Sequence, residues 1–393
     1  MPPGANLGHV PQPAPPTDAD GLVRLADLTT LRVGGPAERF VRVTTTDELV
    51  DAVREVDDAS EPLVLLAGGS NLLVGDAPVP GTVVQVATSG VVVESVDDCA
   101  GAMVRVAAGE VWDELVVRAV NEGWVGIEAL SGVPGSVGAT PVQNVGAYGQ
   151  EVAQTIASVR VWDRLGQRVH TVANADCHFS YRHSAFKESA QSDATLGAVG
   201  GLGGPGRYVV LDVTFQLRLG DLSTPVSYAD LAAGLGVDVG ARVPLAHARE
   251  AVLDQRHRRG MVLDPADHDT WSAGSFFTNP VLRPGEVDRL TARVAARLGD
   301  DVRPPLFPLA GGPDVGGLAK TSAAWLIERA GFGRGHGLPG PAAISTKHTL
   351  ALTNRGEAKA ADLLALASQV RDGVQQAFGV LLEPEPTLVG CSL

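Results

Sequence analysis

GIEALSGVPGSVGATPVQNVGAYGQE, Gly126 to Glu151, is dense in glycine, carries Pro134 and Pro141, and has charge only at Glu128 and Glu151. A flexible linker would be rich in Ser, Lys and Glu and poor in apolar residues. Here Ile127, Leu130, Val133, Val137, Val142 and Val145 are interleaved with the glycines. That mix predicts an ordered, buried loop whose backbone comes very close to something, because glycine permits both unusual φ values and close approach. The two prolines narrow the loop's freedom before it binds anything. Gln143, Asn144 and Tyr148 add neutral hydrogen-bonding groups at its end. A large, flat, partly polar cofactor fits such a wall; a tight loop with a purely structural task is the alternative.

A second glycine turn lies upstream, in Leu63-Val-Leu-Leu-Ala-Gly-Gly-Ser-Asn-Leu-Leu-Val74. An apolar strand runs into Gly68, Gly69, Ser70 and Asn71, and successive backbone N–H groups in such a turn can form an anion-binding nest. It is not a phosphate loop of the Walker type, since no Lys-Ser/Thr follows, and it lacks the GxGxxG dinucleotide fingerprint. The loose match Gly201-Leu-Gly-Gly-Pro-Gly206 sits in a polar insertion without a strand–turn–helix setting and reads as a loop.

Bulk properties narrow the class. The 393 residues suit two or three domains. Hydrophobic content of 45% and a mean hydropathy of +0.11 indicate a globular chain with a large core. A net charge of −14 argues against non-specific nucleic-acid or anionic-membrane binding. Cys99, Cys177 and Cys391 are widely spaced, and no Cys/His ligand spacing appears, so neither a disulfide framework nor a metal site is expected. No apolar run reaches the roughly 20 residues of a membrane span. The start lacks a basic-then-apolar signal pattern, so a cytoplasmic location is expected. Residues 1–21, rich in Pro, Gly and Ala, read as a disordered tail.

Periodicity predicts the elements around these turns. After Gly34-Gly35-Pro36 an alternating strand runs to Val43, and Thr46 caps a helix to about Val56. Val83 to Val93 and Met103 to Val106 read as short strands, and Trp112 to Asn121 as a helix. Thr155–Trp162 and Gln167–Val172 form a hairpin, and Tyr208–Leu219 an alternating strand. Leu245–Arg258 is helical and ends in the basic run Arg256, His257, Arg258, Arg259, either a solvated helix end or a phosphate contact. Further helices are expected over Glu286–Leu298, Thr321–Ala330 and Glu357–Phe378, the last stopped by Gly379. A strand, Val380–Val389, is restricted to an edge or a bend by Pro384 and Pro386.

Six segments, taken together and in order, resemble the UDP-N-acetylenolpyruvoylglucosamine reductase (MurB) family. They are Thr30-Leu-Arg-Val-Gly-Gly-Pro-Ala37, Ala67-Gly-Gly-Ser-Asn-Leu-Leu73, Gly132-Val-Pro-Gly-Ser-Val-Gly-Ala139 with Gln143-Asn-Val-Gly-Ala-Tyr-Gly149, Tyr181-Arg-His-Ser-Ala-Phe-Lys187, Gly274-Ser-Phe-Phe-Thr-Asn-Pro280, and Leu382-Glu-Pro-Glu385. The resemblance implies an α+β chain of three domains. An FAD-binding unit of the vanillyl-alcohol-oxidase type would cover 22–88, joined by the final strand 386–393, and 89–262. An α/β substrate domain would cover 263–385. Val226-Ser-Tyr-Ala-Asp-Leu231 resembles the segment that carries a substrate-clamping tyrosine in one type of the family, which implies Tyr228.

The implied activity is reduction of the enolpyruvyl group of UDP-N-acetylglucosamine enolpyruvate to UDP-N-acetylmuramate, with FAD as cofactor and NADPH as cosubstrate, by a monomer. The implied FAD contacts are Gly68, Gly69, Ser70, Asn71, Leu72, Gly132, Pro134, Gly135, Ser136, Gly138, Ala139, Asn144, Gly146, Tyr148 and Val210. Hydride addition to the vinyl carbon pushes electrons into the substrate carboxylate. Arg182 would stabilise that charge. Glu385, which must be protonated to donate, would need a poorly solvated site. Ser275 would donate the proton to the adjacent carbon. Asn279 would help hold the diphosphate. Met261 stands where the family often has lysine, so Arg258 or Arg259 would supply that charge; Thr387 stands where the family can carry an arginine. The segment Glu188–Gly206 reads as an insertion longer than the family pattern. The competing readings are an FAD-dependent oxidase of the same fold and a non-catalytic UDP-sugar binder.

Overall fold

The computed structural model describes residues 15–17, 20–192, 206–308 and 317–393. Most of the expected tail, the centre of the 188–206 insertion and residues 201–205 of its loose glycine match lie outside the described residues. The chain divides into two compact units: 1–28, 35–69 and 77–262 make the first, and 29–34, 70–76 and 263–393 the second.

The first unit is built on two sheets. The strands Ala37–Val43, Val79–Val86 and Leu63–Leu66 form a parallel three-stranded sheet in that order. Parallel neighbours need crossovers, and the helix Thr46–Asp58 supplies one, burying Leu49, Val53 and Val56. Its cap is Thr45, one residue earlier than the sequence suggests. The Thr45 hydroxyl accepts from Glu48 N–H while the Glu48 carboxylate reaches back to the Thr45 N–H, a reciprocal box.

The second sheet is antiparallel, in the order Arg168–Ala173, Ile156–Asp163, Tyr208–Leu219, Gly101–Ala107, Val91–Asp97. The expected strand Val83–Val93 is therefore two strands, in different sheets, broken at Ala87–Gly90. The helix Trp112–Asn121 buries Trp112, Leu115, Val116 and Ala119 into this sheet's core, where the Trp112 and Phe215 rings lie 6.0 Å apart.

In the second unit the helices Pro284–Leu298, Ala323–Ala330 and Ala360–Phe378 enclose Leu290, Val294, Leu326, Ile327, Leu363, Ala367, Val370, Val374 and Phe378. Gly379, at φ 69, stops the last of them in the left-handed conformation glycine tolerates. That helix starts at Ala360, later than periodicity indicates, because the Asp76 carboxylate takes the Ala360 and Ala361 N–H groups at 2.8 and 3.0 Å. The helix at Ala323 also starts late. Thr321 is spent in the strand Ala319–Thr321, and Ser322 caps by accepting from Trp325 N–H. The expected terminal strand shortens to Thr387–Val389, parallel to Leu72–Val74. Before it Pro384 forms a lone bridge with Phe277, as befits a residue without an N–H.

Candidate functional site

The loop Gly126–Glu151 is ordered by its neighbours rather than by regular structure. Trp112 N–H donates to Gly135 O at 3.0 Å, Val137 N–H to Glu110 O at 2.8 Å and Gly138 N–H to Ala108 O at 2.8 Å. The Trp112 indole N–H reaches Leu130 O at 3.1 Å, and the Asp113 carboxylate accepts from Gly132 N–H at 2.6 Å. Burial works against the Asp113 charge, yet two N–H donors from Arg249, both at 2.7 Å, hold it below the usual carboxylate range.

The start of the loop is held by Glu128, which is 2% exposed. Its carboxylate accepts from Gly126 N–H, Thr224 N–H, Thr224 Oγ1 and Gln150 Nε2, so the buried charge is satisfied by hydrogen bonds alone. Asn144, Tyr148 and Arg182 all have positive φ, at 45°, 50° and 53°. Three non-glycine residues in that region mark a segment whose backbone is fixed by its surroundings. Asn144 spends its amide on Glu151, Ser180 O and Ala153 N–H, stapling the loop to the segment before Arg182. Arg182 Nη2 donates to Gly146 O at 3.1 Å.

The residues present fit a flavin dinucleotide on three counts. First, the two glycine turns touch: a Cβ on Gly68 would lie 2.6 Å from Gly135 Cα, so the backbones meet where no side chain fits. Second, the Ser136 hydroxyl is buried, 4% exposed as a residue, without a hydrogen-bond partner among the described residues. A buried orphan donor is costly unless something meets it. Third, Gly132 and Tyr148 adjoin Arg256, whose Nε would lie 3.3 Å from a Cβ on Gly132. Arg256 is 9% exposed, donates from Nη2 to Met261 O at 2.7 Å, has no partner at Nε, and forms no ion pair with a described residue. Burial lowers its pKa, and burial pushes the Tyr148 phenol up. An unpaired buried guanidinium favours an electron-rich group beside it.

The other expected residues of this unit are Gly69 (φ 61), Pro134, Ala139, Val210, Tyr228 and Arg259. Val210 is 8% exposed in the antiparallel sheet. The Tyr228 ring is edge-on to Tyr148 with centroids 5.9 Å apart, and Arg259 pairs with Asp230. Arg256 entered the sequence reading only as part of a basic run. Its neighbours Gly132 and Tyr148 lie more than a hundred residues away in the chain, and only its place one turn before Arg259 hinted at it.

Ser70, Asn71, Leu72, Ser275, Asn279 and Glu385 belong to the second unit, so the chain crosses between units inside the Gly68–Leu72 turn. The turn carrying Ser275 and the segment carrying Glu385 are bonded neighbours. Phe276 O accepts from Glu385 N–H at 2.8 Å, and Glu383 O accepts from Thr278 N–H at 3.0 Å. Asn71 joins them: its Nδ2 donates to Glu385 O at 3.3 Å, and its carbonyl accepts from Thr387 N–H at 2.9 Å. Phe276 and Phe277, each 1% exposed, anchor the turn in the core. Asn279 Oδ1 accepts from Ala323 N–H at 2.9 Å, so this residue also caps a helix.

Comparison with known proteins agrees across the whole chain. A family model described as UDP-N-acetylenolpyruvoylglucosamine reductase, C-terminal domain, matches residues 264–389, and one described as FAD binding domain matches 37–172. Proteins named UDP-N-acetylenolpyruvoylglucosamine reductase are similar throughout. The one from Thermobifida fusca is 54% identical over 371 residues, 94% of this chain and 98% of that protein. The one from Salinispora arenicola is 52% identical over 392 residues, 98% of this chain and 100% of that protein. The crystal structure of the reductase from Thermus caldophilus superimposes with a TM-score of 0.55 at 26% identity, covering 93% of this chain and 97% of that one. Among the described residues no cluster of three or more His, Cys, Asp or Glu could hold a metal, and no helix is long and apolar enough to cross a membrane.

Proposed function

The chain belongs to the UDP-N-acetylenolpyruvoylglucosamine reductase family, and on that premise we propose how its own residues carry the reaction. It is an FAD flavoenzyme that reduces the enolpyruvyl group of UDP-N-acetylglucosamine enolpyruvate to UDP-N-acetylmuramate, a step of peptidoglycan precursor synthesis. When bound, FAD supplies hydride transfer, with NADPH as the source and the vinyl carbon as the acceptor.

The backbone of Gly68, Gly69 and Gly132–Ala139 would hold the cofactor, with Ser136 as a side-chain donor, and Arg256 would supply a positive charge to it. As electron density moves into the substrate carboxylate, Arg182 stabilises the growing charge through charge-assisted hydrogen bonds. Glu385, in protonated form, donates a second hydrogen bond to the same charge. Ser275 delivers its hydroxyl proton to the carbon next to the one that receives hydride; so weak an acid serves only because the substrate intermediate is strongly basic. Tyr228 closes over the nucleotide, and Arg259 with Asn279 holds its diphosphate. The enzyme works in the cytoplasm as a monomer, without nucleic acid or membrane.

The observation that supports this reading most is the bonded pairing of the Ser275 turn with the segment carrying Glu385 inside one unit. Rapid mixing separates the half-reactions. Ser275→Ala should slow flavin reoxidation by the enolpyruvyl substrate by about a hundredfold or more, the scale of a lost general acid. Reduction by NADPH should stay within about twofold, since no proton is given to substrate in that half. Equal losses in both halves would remove Ser275 from its role.

A further inference from the structure

Tyr228 and Arg259 are held by one short segment. Asp230, in the first turn of the helix Ala229–Leu235, accepts from Arg259 Nη2 at 2.8 Å on Oδ2, and its carbonyl accepts from Gln255 Nε2 at 3.0 Å. Tyr228 is the residue before that helix and lies edge-on to Tyr148. Gly149, at φ 86, packs so closely on Ser227 that a Cβ there would meet its Oγ at 1.9 Å. The carboxylate of Asp230 thus pairs with the guanidinium of Arg259, which caps the C-terminal end of the helix Leu245–Arg258 that carries Arg256 one turn earlier.

We infer that Asp230 is a built-in competitor for the diphosphate that Arg259 takes, and that it sets the enzyme's affinity for uridine nucleotides. The inference rests on the reading of Arg259 as a diphosphate ligand. The pair is solvated, with side-chain exposures of 34% for Arg259 and 62% for Asp230. Such pairs are weak and screened, so this one is readily exchanged. A diphosphate brings more charge and can accept two parallel N–H bonds from the same guanidinium. It must nevertheless displace one carboxylate and then remain near it. Like-charge repulsion at this range weakens binding, and salt removes the effect beyond a Debye length.

The test titrates uridine diphosphate into the FAD-loaded enzyme by calorimetry, for the unmodified chain, Asp230→Asn, Arg259→Ala and the double variant. Asp230→Asn should bind the probe about fivefold more tightly at low ionic strength, the upper range for an exposed pair. The gain should shrink in about 0.5 M salt. It should vanish in the Arg259→Ala background, since the two residues act through one contact. Unchanged or weaker binding by Asp230→Asn overturns the inference, because the carboxylate would then be idle or would be positioning Arg259. A gain that survives Arg259→Ala overturns it as well. If Arg259→Ala alone leaves affinity intact, the diphosphate role of Arg259 fails first, and the two failures are told apart.

Discussion

The loop Gly126–Glu151 is shaped through its backbone, whereas the turn Ser272–Pro280 is shaped by what its side chains reach. Along the loop, N–H and C=O groups of Leu130, Gly132, Gly135, Val137 and Gly138 are taken up by residues 108–113, and glycine is required where Gly135 meets Gly68. In the turn, Phe276 and Phe277 fill the core, Ser275 directly precedes them in the chain, and Phe276 O accepts from Glu385 N–H. The first arrangement makes a surface that is rigid and chemically quiet. The second makes a small set of polar groups on a fixed frame. Cofactor affinity should therefore be sensitive to backbone changes in the loop, and turnover to side-chain changes in the turn and its Glu385 neighbour.

The largest expected effect is on turnover. Glu385→Ala removes the carboxylic acid donor altogether, and should lower kcat about a hundredfold or more, as loss of one charge-stabilising donor does. FAD affinity, read by fluorescence quenching, should change by less than about twofold if the two regions are separate in function. Loss of FAD binding in that variant would break the comparison.

Gly68→Ala tests the other side. The added methyl would fall 2.6 Å from Gly135 Cα, with backbone on both sides and nothing flexible to yield. Overpacking of this kind costs about 1–3 kcal/mol. FAD-free protein should melt lower and bind FAD poorly, and a variant that binds normally would show that the two turns do not form the cradle together.

Arg256→Met separates stability from binding. Removing an unpaired buried cation should leave the melting temperature of FAD-free protein unchanged or raise it. FAD affinity should fall about tenfold, the scale of one charge-assisted hydrogen bond. A lower melting temperature with unchanged affinity would make Arg256 a structural residue.

The smallest effect comes from the rim of the antiparallel sheet, outside both regions. Arg207 donates to Asp163 at 2.7 and 2.6 Å and, against burial, holds its pKa down to about 2 from 3.8. The folded value lies below the unfolded one, so the stabilisation is present above about pH 4 and is lost as pH falls through about 2. Discounted for the solvated arginine, the unmodified chain should exceed Asp163→Asn by about 1 kcal/mol at pH 7. Urea midpoints should converge between about pH 4 and 2; a constant gap would contradict the linkage.

How legible these regions were follows from the same contrast. Glycine announces itself: glycines interleaved with Ile127, Leu130, Val133, Val137, Val142 and Val145 read as an ordered loop rather than a linker. The helix Trp112–Asn121 was plain from its apolar face. Side-chain chemistry was not plain. Arg182, Ser275 and Glu385 had ordinary readings one by one, and only the order of six motifs gave them roles. Tertiary capping moved several ends, as Asp76 did at Ala360, a contact 284 residues apart that no local window contains. Arg256 was hidden for the same reason, since its neighbours Gly132 and Tyr148 are distant in sequence. The split inside Gly68–Leu72, where Gly69 and Ser70 fall in different units, leaves no local mark either.

The central claim is that this chain is a flavin reductase for an enolpyruvyl nucleotide, and one anaerobic experiment tests it most directly. Purified FAD-loaded enzyme is bleached with one equivalent of NADPH, and UDP-N-acetylglucosamine enolpyruvate is then added without oxygen. The yellow absorbance should return within seconds, with stoichiometric UDP-N-acetylmuramate. A flavin that stays bleached until air is admitted would mark an oxidase and contradict the account.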